Sequence, residues 1–226
     1  MLRSDIEACA SPVSFPISTA QISLETFQGF RLLEESPHKE NFFKLIRYFT
    51  SQQNTGFCGI ASAVIVLNRL GFEGPDDEDL KPYKLITQNN IFHFLKHVSW
   101  LDAEKIRLEG LNLEQLAFLL QEIGAHVSIS VAPDLTLCQF RKLVLHALDK
   151  GHKQVILNYS RGALNQDGYA HFSPVAAYHQ ETDRFLVLDV APFKYPSLWI
   201  RTIDLYQALN TRGTDGTQRG LIILHK

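Results

Sequence analysis

Apolar residues follow a helical period through the first half of the chain and fall into short strand-like runs in the second. The strongest helical signal begins at Cys58. A polar turn from Gln52 to Gly56 leads into it, an apolar run continues to Leu70, and Gly71 stands where a C′ glycine ends a helix. Between His38 and Phe49 the residues Phe42, Phe43, Leu45, Ile46 and Phe49 recur at helical spacing and predict a helix packed beside the first. Asn112 and Gln115 have the spacing of a capping box. Leu116, Leu119, Leu120 and Ile123 form the apolar face of that helix, and Gly124 ends it. His126 to Val131 alternates as a strand, and Thr136 to Lys150 is an amphipathic helix stopped by Gly151.

After Gly151 the pattern changes. Gln154 to Tyr159, His171 to Tyr178, Phe185 to Val190 and Gly220 to Leu224 are β-rich runs separated by turn residues. A helical part over about 38–150 facing an antiparallel sheet part over about 151–226 is an α+β arrangement within one domain, 38–226. Residues 1–37, broken by Pro12, Pro16 and Pro37, read as an extended N-terminal arm in which Cys9 is incidental.

With 226 residues and 45% hydrophobic content the chain can bury a full core. A net charge of −2 without a basic stripe argues against nucleic acid as a partner, and no apolar run reaches the length of a membrane span. The first twenty residues hold Asp5 and Glu7 and lack a continuous apolar core, so they do not read as a signal peptide. Three scattered cysteines suggest no disulfide framework. A reducing, cytoplasmic setting is the expectation, although a secreted or periplasmic chain whose leader had been removed would read the same. Gly74 to Asp79 is a solvated acidic loop without the closing glutamate of a calcium loop. His93 and His97 lack the glutamate and third ligand of a zinc helix, so no metal site is expected.

Cys58 stands at a helix N-terminus, where unpaired amides and the macrodipole lower a thiol's pKa. A thiolate there suits attack on a carbonyl, with the Gln52 amide and the Cys58 N–H as oxyanion donors. The competing reading is a small buried hydrophobe. Asp189 interrupts an apolar run that ought to be buried, and a buried carboxylate needs a partner. A turn at Gln180 to Asp183 pairs residue 179 with 184 and, in a regular ladder, sets Asp189 opposite Pro174. Bringing Asp189 to His171 therefore requires a bulge or bend at Pro174. If they meet, Asp189 orients His171, and His171 faces Cys58 as a base. Cys138, in the first turn of its helix, has no comparable surroundings.

Several ordered stretches carry a resemblance. They are Gln52 with Phe57-Cys58-Gly59-Ile60-Ala61-Ser62, Pro82-Tyr83-Lys84-Leu85-Ile86-Thr87-Gln88-Asn89-Asn90-Ile91-Phe92, Asn158-Tyr159-Ser160-Arg161, His171-Phe172-Ser173-Pro174-Val175-Ala176-Ala177-Tyr178, Leu188-Asp189-Val190 and Lys194-Tyr195-Pro196-Ser197-Leu198-Trp199-Ile200. Together they resemble the phytochelatin synthase family, in its short prokaryotic form, within the papain-like cysteine peptidases. The resemblance implies a papain-like fold with the active site between helical and sheet parts, and Cys58, His171, Asp189 and Gln52 as catalytic groups. It also implies glutathione as substrate, cleaved at its Cys–Gly bond through a thioester on Cys58. The acyl unit then passes to water, the dominant path in the short form, or to a second glutathione. Heavy-metal ions such as cadmium or zinc would arrive as glutathione thiolates rather than as an intrinsic cofactor, and the family suggests a homodimer. Arg219 and Asp215 resemble the family's charged pair for the zwitterionic γ-glutamyl end, with Arg161 and Asn158 as further substrate contacts. Their alternative is an exposed charged turn and polar residues at a sheet edge. One departure is Ala170, where the family has glycine before its histidine. A papain-like peptidase or amidase for another thiol or γ-glutamyl peptide, and a non-catalytic metal- or thiol-binding protein, are the competing functions.

Overall fold

The computed structural model describes residues 15–149 and 151–226, so Cys9, Pro12 and the residues around Asp5 and Glu7 lie outside the described residues. In chain order the elements are β1 (Ile22–Ser23), α1 (Phe27–Glu35), α2 (Glu40–Ile46), α3 (Cys58–Leu70), α4 (Ala103–Glu109), α5 (Leu113–Glu122), β2 (His126–Val131), α6 (Leu137–Asp149), β3 (Gln154–Ser160), β4 (Ala170–His179), β5 (Arg184–Val187), β6 (Leu198–Arg201), α7 (Thr202–Leu209) and β7 (Gly220–His225). The strands form one antiparallel sheet in the order β1-β6-β5-β4-β3-β7-β2. The fold is α+β.

Period-two alternation divides the strands between two cores. Val155, Leu157, Tyr159, Val175, Phe185 and Val187 face α6 and α7, meeting Phe140, Val144, Leu205 and Leu209. Ile156, Phe172, Leu186, Leu188 and Ile222 face the other way, against α3 and α5. Because α3 is apolar on every side it is enclosed, and each residue from Cys58 to Asn68 is buried. Gly71 ends it at φ 76°, its N–H reaching the carbonyls of Leu67 and Asn68. The capping box of α5 is formed as expected from Asn112 and Gln115.

Three features depart from the sequence reading. The supposed extended arm contains a strand and a helix. Thr26 caps α1 by accepting from the Gly29 N–H, Leu32 and Leu33 are buried, and β1 pairs with β6. The helical half also does not stay on one side, since α6 packs on the sheet face opposite α3. The run expected as a strand to Val190 ends as a strand at Val187; Leu188 and Val190 stay buried, and the Val190 carbonyl turns to the Gln52 N–H instead of a neighbouring strand. No described helix is long and apolar enough to cross a membrane.

Candidate active site

Phe57, which precedes α3, supplies no side-chain cap. The backbone of Gly59 and Phe172 and the His171 ring stabilise negative charge on the Cys58 sulfur. Burial alone would push this thiol up. The hydrogen bond and charge of His171, with the two backbone groups, outweigh it and hold Cys58 below the usual thiol range. Gly56 sets the approach, since a Cβ there would lie 2.4 Å from the Ile106 carbonyl oxygen and 2.6 Å from that of Arg107. Glycine is what lets the loop ahead of Cys58 pass the end of α4.

His171 is the second residue of β4, opposite Tyr159 of β3, whose ring stands edge-on at 5.6 Å. Its Nε2 donates to Asp189 Oδ1 at 2.9 Å, leaving the other ring nitrogen for Cys58. The register explains how they meet. His179, Tyr178 and Ala177 pair regularly with Arg184, Phe185 and Leu186, but Val187 then pairs with Val175. The bulge lies at Ala176, two residues from the Pro174 position that the sequence required. Asn41 Nδ2 donates to the Val175 carbonyl at 3.2 Å, satisfying an acceptor beside the bulge.

Asp189 Oδ1 gathers three donors: His171 Nε2, Arg161 Nη2 at 2.8 Å and the Ala191 N–H at 2.9 Å. Burial works to raise this carboxyl, yet the charges and hydrogen bonds of His171 and Arg161 hold it below the ordinary carboxylate range. His171 is pulled down by burial and by Arg161. Asp189 and Cys58 raise it by more, so it sits above the ordinary imidazole value. A depressed thiol beside a raised imidazole is the signature of a thiolate–imidazolium pair.

Gln52 is fixed at both ends of the residue. Its N–H donates to the Val190 carbonyl at 2.8 Å and its Nε2 to the Asn54 carbonyl at 2.7 Å, which leaves the second amide proton for the cleft. Gln88 braces the same loop, accepting from the Gln53 N–H at 3.0 Å and donating to the Ser51 carbonyl at 2.8 Å. Gln52, Cys58, His171 and Arg161 line a cleft of about 440 Å³, with Leu108, Tyr169, Phe193 and Lys194 toward its rim. A second hollow of about 330 Å³ adjoins it and shares Tyr169, Ala170, Glu109 and Thr214.

The second hollow is lined by Asn158, Asp215 and Arg219. Arg219 is buried, donates to Thr211 Oγ1 at 3.1 Å, and is lowered by burial against the opposing charge of Asp215. Asp215 is exposed and held low by the Thr217 hydroxyl and amide. Asn158 Nδ2 and Arg219 Nε are buried without a hydrogen-bond partner among the described residues. Arg161 stands apart from this group. It lies on the Asp189 side of Cys58, with its guanidinium bound to Asp189 and Gln166. Sequence reading missed the buried Gln21 and Gln166 behind it, which look like ordinary turn residues until folded. His97 pairs with Glu122 at the surface, Cys138 is exposed, and no described group of three His, Cys, Asp or Glu residues is arranged to hold a metal ion.

Residues 13–221 match a family model described as phytochelatin synthase. The chain is 35% identical over 193 residues to glutathione gamma-glutamylcysteinyltransferase 3 of Lotus japonicus, covering 83% of this chain and 38% of that protein. It is 32% identical over 217 residues to transferase 1 of the same plant, and 31% identical over 217 residues to transferase 1 of Triticum aestivum. Each of these alignments covers 92% of this chain and 41% of the relative. The chain thus spans about two fifths of the length of the curated relatives it matches.

Proposed function

The chain belongs to the phytochelatin synthase family, and from that premise we propose that it is a glutathione γ-glutamylcysteinyl hydrolase and transferase. The observation that carries the reading is the Cys58–His171–Asp189 row beside a hollow lined by Asp215 and Arg219. A γ-glutamyl end carries one carboxylate and one ammonium group, so Arg219 and Asp215 suit its two charges, with Asn158 as a neutral donor. Docked there, glutathione extends toward Cys58 and presents the carbonyl of its cysteine.

The Cys58 thiolate attacks that carbonyl and forms the S–C bond. The Gln52 amide and the Cys58 N–H hold the developing oxyanion. The His171 imidazolium gives its proton to the glycine nitrogen as the C–N bond breaks, and glycine leaves. His171, now neutral, takes a proton from the second nucleophile, which opens the thioester and regenerates the thiolate. Water gives γ-glutamylcysteine, and the amino group of a second glutathione gives a lengthened chain. Cadmium or zinc enters as a glutathione thiolate and is cargo, not a resident ion. The reaction belongs in a reducing compartment, because nucleophile and substrate must both remain thiols.

The test is intact-protein mass after brief exposure to glutathione and acid quench. The expected adduct is one γ-glutamylcysteinyl unit, absent from Cys58→Ala. Cleavage of other thiol peptides with glutathione left whole would remove the substrate assignment.

A further inference from the structure

Behind Asp189 a row of buried amides runs inward with a defined sense. Gln21 Nε2 donates to the Leu164 carbonyl at 2.8 Å, and Gln21 Oε1 accepts from Gln166 Nε2 at 3.0 Å. Gln166 Oε1 accepts from Arg161 Nη1 at 2.8 Å, while Arg161 Nη2 donates to Asp189. Gln21 is 7% exposed, Gln166 5% and Arg161 2%, so water does not substitute for these bonds.

The order of donors follows from the far end. A main-chain carbonyl only accepts, so it fixes which end of the Gln21 amide faces it. Gln21 must then offer oxygen to Gln166, and Gln166 must offer oxygen to the guanidinium. A carboxamide is nearly symmetric in shape. Without the Gln21 oxygen nothing in this row stops Gln166 from turning its NH₂ against Arg161, donor against donor in a dry site. Gln21 is itself held in place: β1, which follows it, pairs with β6, and Arg184 Nη1 donates to the Ala20 carbonyl at 2.6 Å. Arg161 also lies over the Tyr195 ring at 5.0 Å.

Resting on the nucleophile assigned above, we propose that Gln21 is a positioning residue for the Asp189–His171 pair, acting through Gln166 and Arg161. The segment ahead of α1 thereby completes the active site from outside its helical and sheet parts. The titratable groups facing His171 and Asp189 are Cys58 from α3 and Tyr159 and Arg161 from β3 and its following turn. Lys194, paired with Asp167, and Glu109 stand around the cleft. Arg161 opposes the positive charge on His171 and favours the thiolate of Cys58. If the guanidinium draws back, both groups titrate higher and both limbs of the pH profile move up together.

The experiment measures iodoacetamide alkylation of Cys58 against pH, read on the Cys58 peptide so that the exposed Cys138 does not interfere, together with kcat and KM for glutathione. Gln21→Met keeps the bulk and removes both bonds. It should lower kcat roughly tenfold at constant KM and shift both limbs upward. Adding Gln166→Glu should restore the plateau, since a carboxylate offers oxygen to Arg161 whichever way it turns. A folded Gln21→Met with wild-type limbs and plateau overturns the proposal, and so does a loss that Gln166→Glu leaves unrelieved. If Gln21→Met does not fold, Gln166→Met breaks the same row and is judged the same way. Alkylation needs no substrate, so a chain that spares glutathione but keeps this pH behaviour sinks the substrate assignment alone.

Discussion

Val187 lies opposite Val175, not opposite Ala176, and that single step decides where Asp189 emerges. In a regular ladder Asp189 would pair with Pro174 and share its face of the sheet, the face away from His171. The bulge shifts the register by one, and a one-residue shift exchanges faces. The carboxylate therefore comes out beside the imidazole, and the Leu188 N–H still reaches the Pro174 carbonyl at 3.0 Å. The meeting of Asp189 and His171 is a consequence of strand register.

Asp189→Asn tests what the carboxylate contributes. An amide in its place loses the charge that favours the imidazolium and can present its NH₂ to the ring. By analogy with other triads kcat should fall by about 10³–10⁴. Arg161 is buried with Asp189 as its charged partner, so the variant should also lose about 3–5 kcal/mol of stability. Steady-state kinetics and chemical unfolding check the two losses separately. Full activity in a folded Asp189→Asn protein would remove Asp189 from the mechanism.

Much of this was legible beforehand, and the remainder was hidden for identifiable reasons. The α3 helix, its glycine stop and the capping box of α5 are local signals, and each formed where the sequence set it. Asp189 stood out because a carboxylate inside an apolar run demands a partner. Helix α1 was obscured by two exposed phenylalanines, Phe27 and Phe30, among charged neighbours, so its apolar residues did not fall on one buried stripe. The exact place of the bulge was not readable, because alanines carry no signal that marks an extra residue in a strand. Gln21 and Gln166 were invisible for the opposite reason: polar residues in turns are ordinary until tertiary packing buries them.

The pH dependence should have two independent signs. Cys58 is held low and His171 high, so activity should be lost on the acid side as the thiolate is protonated and on the alkaline side as the imidazolium is deprotonated. Stability follows linkage. Asp189, depressed in the fold, contributes fully above its unfolded value of about 3.9 and loses that contribution as pH falls through its folded value. His171, raised in the fold, contributes below its unfolded value of about 6.5 and loses that contribution as pH rises through its folded value. Alkylation rates and melting temperatures across pH measure the two effects. A Cys58 that reacts only in the ordinary thiol range contradicts the ion pair.

Gln52→Ala separates oxyanion stabilisation from nucleophile activation. The Gln52 side chain bonds Asn54, not Cys58 or His171, so the thiolate should survive its removal. Acylation should slow by roughly 10²–10³ while Cys58 alkylation stays near wild type. Rapid-quench measurement of the first turnover beside iodoacetamide kinetics makes the comparison. Equal losses in both would mean that Gln52 supports the loop carrying Cys58 instead of the transition state.

Ala170→Gly tests how the acyl unit is divided between acceptors. Ala170 begins β4 and lines both hollows, so its methyl group stands at the passage between them. Water passes a methyl group easily, whereas an incoming glutathione must bring its amino group and backbone close to the thioester. Removing the methyl should therefore raise transfer relative to hydrolysis by a few-fold, with donor cleavage little changed. Glycine in a strand costs about 0.5–1 kcal/mol, small enough to leave the fold intact. Chromatographic measurement of γ-glutamylcysteine against the lengthened product, at fixed glutathione, gives the ratio directly. An unchanged ratio would show that the acceptor approaches from the Phe193 and Lys194 side of the cleft, where Ala170 does not stand in its way.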